Sequence, residues 1–421
     1  MRPSVYRDNM REPSVQKHLS PGVFLALIVM LYMFAPISTD MYLPALADMV
    51  DELDTTESML NATLYCYMMF LGISMVIMGP LIDKYGRKGI LIGCLAEYII
   101  ASFLAAMVTS VGQLIILRIL QAVGSGGVMT ITTAFIKDSY SGPKMTLVLR
   151  VVAIIAVIGP VAAPILGSMI IVNLGWRYTF FAPAAFAAVC LLISLFVTET
   201  LPEEERITGG FGDMMHGMRT ILGNRLFMGF MLMICMFNLP FMGYLSVSSY
   251  IYEGTFGFGA YLYSVMLVAA LLGAVVISIL VARYTSRIVN RRMIPFYLIL
   301  GFAGTVILLT VAKHSPYLFL LAFILILGSS TTVRPWGMGV LMRSHDGDSG
   351  TLSSMINALF FAVGTVGMAM STLPWPDYIT GLGCLGLIAC AMYLIMMVWV
   401  MRSDGSAIRE LDGTAAGEDR R

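Results

Sequence analysis

The sequence predicts an all-α integral membrane protein, with twelve transmembrane helices in two six-helix halves and both termini cytoplasmic. Three observations carry this expectation. The 421 residues are 58% hydrophobic and 12% charged, with a mean hydropathy of +0.85, whereas a soluble domain is about half apolar and a quarter charged. Twelve apolar runs approach or exceed the roughly 20 residues that a helix needs to cross a bilayer. Lysine and arginine gather in alternate loops.

The runs fall at about 21–46, 58–80, 89–109, 112–135, 145–171, 178–198, 226–251, 260–282, 293–312, 316–342, 351–372 and 379–401. The first is too long for the apolar core of a signal peptide, and no small-residue cleavage site follows it, so it is expected to stay as a helix. Basic residues set the orientation. Lys84, Arg87 and Lys88, then Lys137 and Lys144, then Arg206, Arg219 and Arg225, then Arg283, Arg287, Arg291 and Arg292 occupy one side, together with both termini. The opposite side has only Arg177 and Lys313, and its first loop, ADMVDELDTTES, holds acids without a base. The longest polar interval follows the sixth run. The expected division is a tail at 1–20, a bundle at 21–198, a cytoplasmic linker at 199–225, a second bundle at 226–401 and a tail at 402–421, the two-fold plan of many secondary transporters.

Several function classes drop out. A net charge of +1 offers no electrostatic footprint for nucleic acid. Six cysteines stand singly in apolar runs and only four histidines accompany them, so no metal site or disulfide framework is expected. No Walker-type loop and no matched nucleophile and base are present, so the chain reads as neither an ATPase nor an enzyme. Uphill work would then draw on an ion gradient. A proton gradient, a small-molecule substrate and the lipid bilayer are the expected partners, with no cofactor and no obligate protein partner.

Ionisable residues inside spans are functional candidates by default. Asp40 is the only charge between Pro21 and Leu46, and Arg118 lies at a comparable depth in the fourth span. The two could lower one another's cost if their helices touch. Gln121 and Ser125 share the Arg118 face at helical spacing. Asn61 with Tyr65, and Ser353 with Asn357, are one turn apart. With Met33, Asn238, Tyr244, Phe360 and Phe361 they would make a mixed apolar and hydrogen-bonding substrate cavity, although any one such residue is ordinarily packing. Glu97 lies deep in the third span and is either a second proton site or a neutral acid bonded to a neighbour. Arg334, before Pro335, is expected to snorkel to the cytoplasmic interface. In VIGPVAAPILGS, Gly159, Pro160, Pro164 and Gly167 recur along one side of the fifth span, a plausible pivot. In GPLIDKYGRKGI, Gly79 and Gly86 would allow a sharp turn, Asp83 would accept hydrogen bonds, and Arg87 and Lys88 would anchor the cytoplasmic face.

Together these stretches resemble the major facilitator superfamily, and within it the proton-coupled drug antiporters. GPLIDKYGRKGI is similar to the superfamily's loop signature at Gly79, Asp83, Gly86, Arg87 and Lys88. LRILQAVGSGG resembles the fourth-helix signature at Arg118, Gln121, Gly124 and Gly126, with Ala122 where a glycine is usual. GPVAAPILG resembles the fifth-helix antiporter signature. STDMYLPAL, GWRYTFF and ETLPEEER look like the Bcr/CflA-type bicyclomycin and chloramphenicol resistance exporters. The resemblance implies the major facilitator fold and export of drugs in exchange for protons, with Asp40 and Arg118 in proton coupling. In a bacterium it implies the inner membrane. Some multidrug members carry a glutamate before the helix-one aspartate, where this chain has Met33, which implies neutral or zwitterionic cargo. A proton-coupled exporter of one metabolite, and a non-transporting receptor or scaffold on the same fold, are the alternative readings.

Overall fold

The structure, a computed structural model, describes residues 16–206, 225–285, 293–343 and 349–402. The terminal segments, most of the linker and the basic loop at 286–292 lie outside them. So the expectations for both tails, for Arg219 and for Arg287, Arg291 and Arg292 fall outside the described residues. Every regular element among the described residues is helical.

Helix α1 spans Pro21–Asp40, and a 3-10 turn at Leu43–Ala45 leads into α2, Leu46–Glu52. The first half continues through α3 (Glu57–Tyr85), α4 (Arg87–Ala105), α5 (Val111–Ser139), α6 (Gly142–Leu174) and α7 (Tyr178–Ser194). Then come α8 (Arg225–Cys235), α9 (Asn238–Ser249) with a π-helical turn at Tyr250–Thr255, α10 (Ala260–Thr285), α11 (Met293–Thr310), α12 (Pro316–Arg343), α13 (Ser349–Ser371) and α14 (Tyr378–Arg402). Side-chain caps mark several starts. Ser20 accepts from the Val23 amide at 3.3 Å and Thr56 from the Met59 amide at 3.2 Å, each satisfying one of the four unpaired amides of a helix N-terminus.

Nine helical stretches among the described residues are long and apolar enough to cross a membrane, with shorter apolar helices at Tyr178–Ser194, Pro295–Thr310 and Met355–Ser371. Large apolar side chains face outward along them, among them Val172, Ile299, Ile100 and Leu192. Such a surface is stable against lipid tails and not against water.

Two expected runs are broken. The first was expected unbroken over 21–46, but α1 stops at Asp40 and the chain tightens into the 3-10 turn that contains Pro44. The seventh was expected over 226–251, but it divides at Met236 and Phe237. Pro240 has no amide hydrogen for the Met236 carbonyl, which accepts from Leu239 instead at 3.1 Å. The expected sharp turn at Gly79 is not there either. Gly79 lies inside α3, and Gly86 alone makes the bend at φ +92°, a conformation that is costly for any residue with a Cβ.

Helix α6 runs through both Pro160 and Pro164 without interruption and lays its glycine face on α1. A Cβ at Gly159 would meet Pro36 Cγ at 3.2 Å, and one at Gly167 would overlap the Met41 carbonyl oxygen. On its other side α6 packs along α10, where the Ser264 hydroxyl donates to the Pro164 carbonyl at 3.0 Å. Helix α3 packs along α13, and the Tyr378 hydroxyl at the start of α14 donates to Glu57 at the start of α3. Both bonds lie toward the face that carries the 41–56 loop.

Gly167→Ala is expected to lower the melting temperature of the purified protein, because the overlap with Met41 outweighs the about 0.5–1 kcal/mol that alanine normally adds to a helix. Gly93→Ala, which has open space around its Cβ, is expected to raise it or leave it unchanged. Equal melting shifts for the two variants would argue against the close α1–α6 contact.

Candidate functional site

The end of α1 creates the polar centre of the first half. A helix leaves its last carbonyls without amide partners, and Arg118 of α5 takes one of them. Its Nη1 donates to the Ser38 carbonyl at 3.0 Å and to Gln121 Oε1 at 2.9 Å. Gln121 Nε2 donates to the Ser102 hydroxyl at 2.7 Å, and the Tyr98 hydroxyl donates to Ser38 Oγ at 2.8 Å. The guanidinium is held between two aromatic faces, Tyr42 at 4.5 Å and Tyr67 at 4.1 Å from the ring centroids. Arg118 is 1% exposed, so this desolvated sandwich is at the strong end of cation–π attraction, about 2 kcal/mol. Its Nε and Nη2 are buried without a hydrogen-bond partner.

Asp40 does not pair with Arg118, as the sequence reading had allowed. Its Oδ1 accepts from the Thr39 hydroxyl at 2.9 Å, and among the described residues no cation pairs with it. Asp40 is the last residue of α1. Tyr42 lies within electrostatic reach of both charges, and Tyr263 of α10 lies within reach of Asp40. Asp40 thus stands where α1 meets the second half of the chain.

The remaining candidates fall into separate groups rather than one wall. Asn61 is fully buried with neither amide atom bonded, one turn from half-buried Tyr65 on α3. Met33 packs beside Ile37, Met41 and Ala163 at the α1–α6 contact. Asn238 donates to the Phe360 carbonyl at 2.6 Å and leaves its own oxygen unbonded. Tyr244 is not a cavity residue: it is fully buried, stacked on Phe323 at 4.0 Å with Phe319 beside it. Arg334 does not snorkel. Its Nη2 donates to Asn357 Oδ1, and its guanidinium sits 3.8 Å above the Phe360 ring. Phe361, edge-on to Phe360, lies against Gly72 of α3. Glu97 is turned into the α4–α5 contact against Gly124 and Cys94, with both carboxyl oxygens buried and unbonded. Ser353 lies outside the described side chains.

On the opposite face, the signature loop is knitted inward. Arg87 was expected at the surface, yet it is 5% exposed. It pairs with Asp138 of α5 at 2.7 Å and Asp83 at 3.1 Å, and it donates to the Ile82 carbonyl at 3.1 Å. The Glu199 carboxylate accepts from the Arg87 and Lys88 amides at 2.9 and 3.0 Å, a negative charge at the positive end of α4. A Cβ on Gly86 would come within 2.6 Å of Glu199 Oε2, so glycine there serves both the bend and the contact. Asp138 went unnoticed in sequence, and Glu199 entered only as the first residue of ETLPEEER, because both are distant from GPLIDKYGRKGI along the chain. Tyr67 carried no signal beyond being aromatic, and Tyr42 none beyond its place in STDMYLPAL.

Asp138→Asn leaves buried Arg87 with one paired carboxylate, Asp83, beside the Ile82 carbonyl, and is expected to lower stability by about 2 kcal/mol. Asp83→Asn, whose carboxylate is more exposed, is expected to cost less. Thermal melting of the two purified variants checks the order.

Known proteins agree with this architecture. The Major Facilitator Superfamily profile matches residues 28–369. A chloramphenicol resistance protein of Pseudomonas aeruginosa is 34% identical over 149 residues, 35% of this chain and 36% of that protein. A bicyclomycin resistance protein homolog of Haemophilus influenzae is 21% identical over 357 residues, 82% of this chain and 88% of the relative. Among solved structures, the nucleoside transporter NupG superposes with a TM-score of 0.67 at 13% identity, covering 90% of this chain and 97% of that one. With this match across most of its length, the chain belongs to the Major Facilitator Superfamily and is a multi-pass membrane transporter rather than an enzyme.

Proposed function

We propose that this transporter exports drugs or other small, mostly hydrophobic compounds in exchange for protons, by alternating access between two six-helix halves. One observation carries the reading: Asp40 ends α1 beside the second half with no cation paired to it among the described residues. An acid in that position costs far less to enclose neutral than charged, so a proton is its cheapest partner. The names of the relatives support drugs as the cargo class.

In this scheme Asp40 takes a proton while the outer cavity is wet. The neutral acid then lets the 41–56 face close, with Tyr378 on Glu57 and Ser264 on Pro164. Substrate entering from the cytoplasm or inner leaflet displaces the proton, through Arg118 and Tyr42 or directly. Helix α6 flexes at Pro160 and Pro164, where hydrogen bonds of the helix ladder are missing. The proton gradient is the energy source and no cofactor takes part. In a bacterial cell the address is the inner membrane.

In proteoliposomes holding a pH-sensitive dye, a panel of drugs spanning neutral, zwitterionic, anionic and cationic compounds is expected to include some that trigger proton flux in wild type. Asp40→Asn is expected to reduce it at least tenfold. Normal proton-driven efflux by that variant would overturn the scheme, and no flux with any drug from folded protein would shift the reading to a narrow metabolite exporter. Arg118→Lys keeps the charge but loses the planar fork between the two rings. It is expected to reduce transport by about tenfold, the effect of losing roughly 1.4 kcal/mol of stabilisation.

A further inference from the structure

Arg334 is an intramembrane charge that the proton scheme leaves unused. It is half-buried on α12, with Asn357 and Phe360 of α13 as its direct contacts. Cys235 of α8 and Tyr32 of α1 lie within electrostatic reach. Counted at 1.5 Å per residue, these five residues all stand about 12 to 17 Å from the helix ends on the face that carries Gly86. Asp40 and Arg118 lie nearer the opposite face. Arg334 therefore occupies a separate level, where α1 of the first half faces α8, α12 and α13 of the second.

The chain treats its other buried arginines differently. Arg87 is given two carboxylates, and Arg118 is given a helix-end carbonyl, a glutamine and two rings. Arg334 has one neutral amide oxygen and one ring face, and no acid pairs with it among the described residues. The nitrogens of its fork that Asn357 does not engage are not among the sealed, unbonded atoms of the interior, as two of Arg118's are. A planar guanidinium left open on one edge matches a carboxylate, which it binds through two parallel hydrogen bonds. No acid stands at that level of α1, which is uncharged until Asp40. The acid at similar depth on α4, Glu97, is turned into the α4–α5 contact.

We propose that Arg334, with Asn357 and the Phe360 ring, forms an anion-recognition subsite for cargo, whose class is apolar, preferably aromatic, compounds bearing a carboxylate. This rests on the reading of the chain as an exporter of small hydrophobic compounds and adds the charge of its cargo. The guanidinium takes the carboxylate, Asn357 orients the fork, and the Phe360 and Phe361 rings meet the apolar body.

The test uses three probes with one ring system: 1-naphthoate, 1-naphthamide and 1-naphthylmethylammonium. Binding is measured on full-length protein in nanodiscs against empty nanodiscs. Wild type is expected to bind naphthoate at least tenfold tighter than either other probe. Arg334→Gln is expected to erase that preference while leaving naphthamide affinity within about threefold. Arg334→Lys is expected to keep part of it, and Asn357→Ala to weaken naphthoate alone. The proposal is overturned if naphthoate shows no saturable binding, if either other probe matches it in wild type, or if the preference survives Arg334→Gln. Should Arg334→Gln not fold, the wild-type ranking and Asn357→Ala decide. Binding needs no proton gradient, so loss of the proton scheme and loss of this subsite read out separately.

Discussion

The stop of α1 at Asp40 is the constraint on which the rest of the site depends. Had the helix continued, the Ser38 carbonyl would also accept from the amide four residues on, and Arg118 would share it with that donor. The break frees that carbonyl and turns Tyr42 toward the Arg118 guanidinium. It also leaves Asp40 at the edge of the second half. Close packing by α6 keeps the break in place: its two glycines admit Pro36 and the Met41 backbone, so α1 and α6 approach more nearly than side chains would allow.

Three arginines inside one chain show three ways of keeping a charge out of water. A buried charge is tolerated when it is paired or otherwise solvated by fixed dipoles and rings. Arg87 uses acids and locks the α3–α4 turn to α5, with Glu199 capping the adjoining helix. Arg118 uses a helix end and two tyrosine faces, with no acid bound to it among the described residues. Arg334 has the fewest partners of the three.

The inter-half contacts are uneven. Hydrogen bonds between the α3 and α14 starts, and between α6 and α10, cluster toward the 41–56 face. On the Gly86 face, Arg87 pairs with Asp83 and Asp138 and its amide donates to Glu199, which ties α3, α4, α5 and the start of the linker together.

Composition and charge determined a great deal. The helical class, the membrane setting, the positions of nearly every helix and the isolation of Asp40 and Arg118 as charges within their spans were all legible, because long apolar runs can satisfy their backbone in lipid as helices and each internal charge is conspicuous there. The loop signature was legible too, including the bend at Gly86. What the sequence could not hold was partnership. Arg87 reads as a surface base until Asp138 and Glu199 arrive from remote segments, and Tyr244 reads as a cavity residue until Phe323 stacks on it. Whether Asp40 and Arg118 pair depended on which side of a helix break each one faces. Hydropathy reports how far a residue lies along its own helix. The direction it faces, and what meets it there, is decided only when the helices pack.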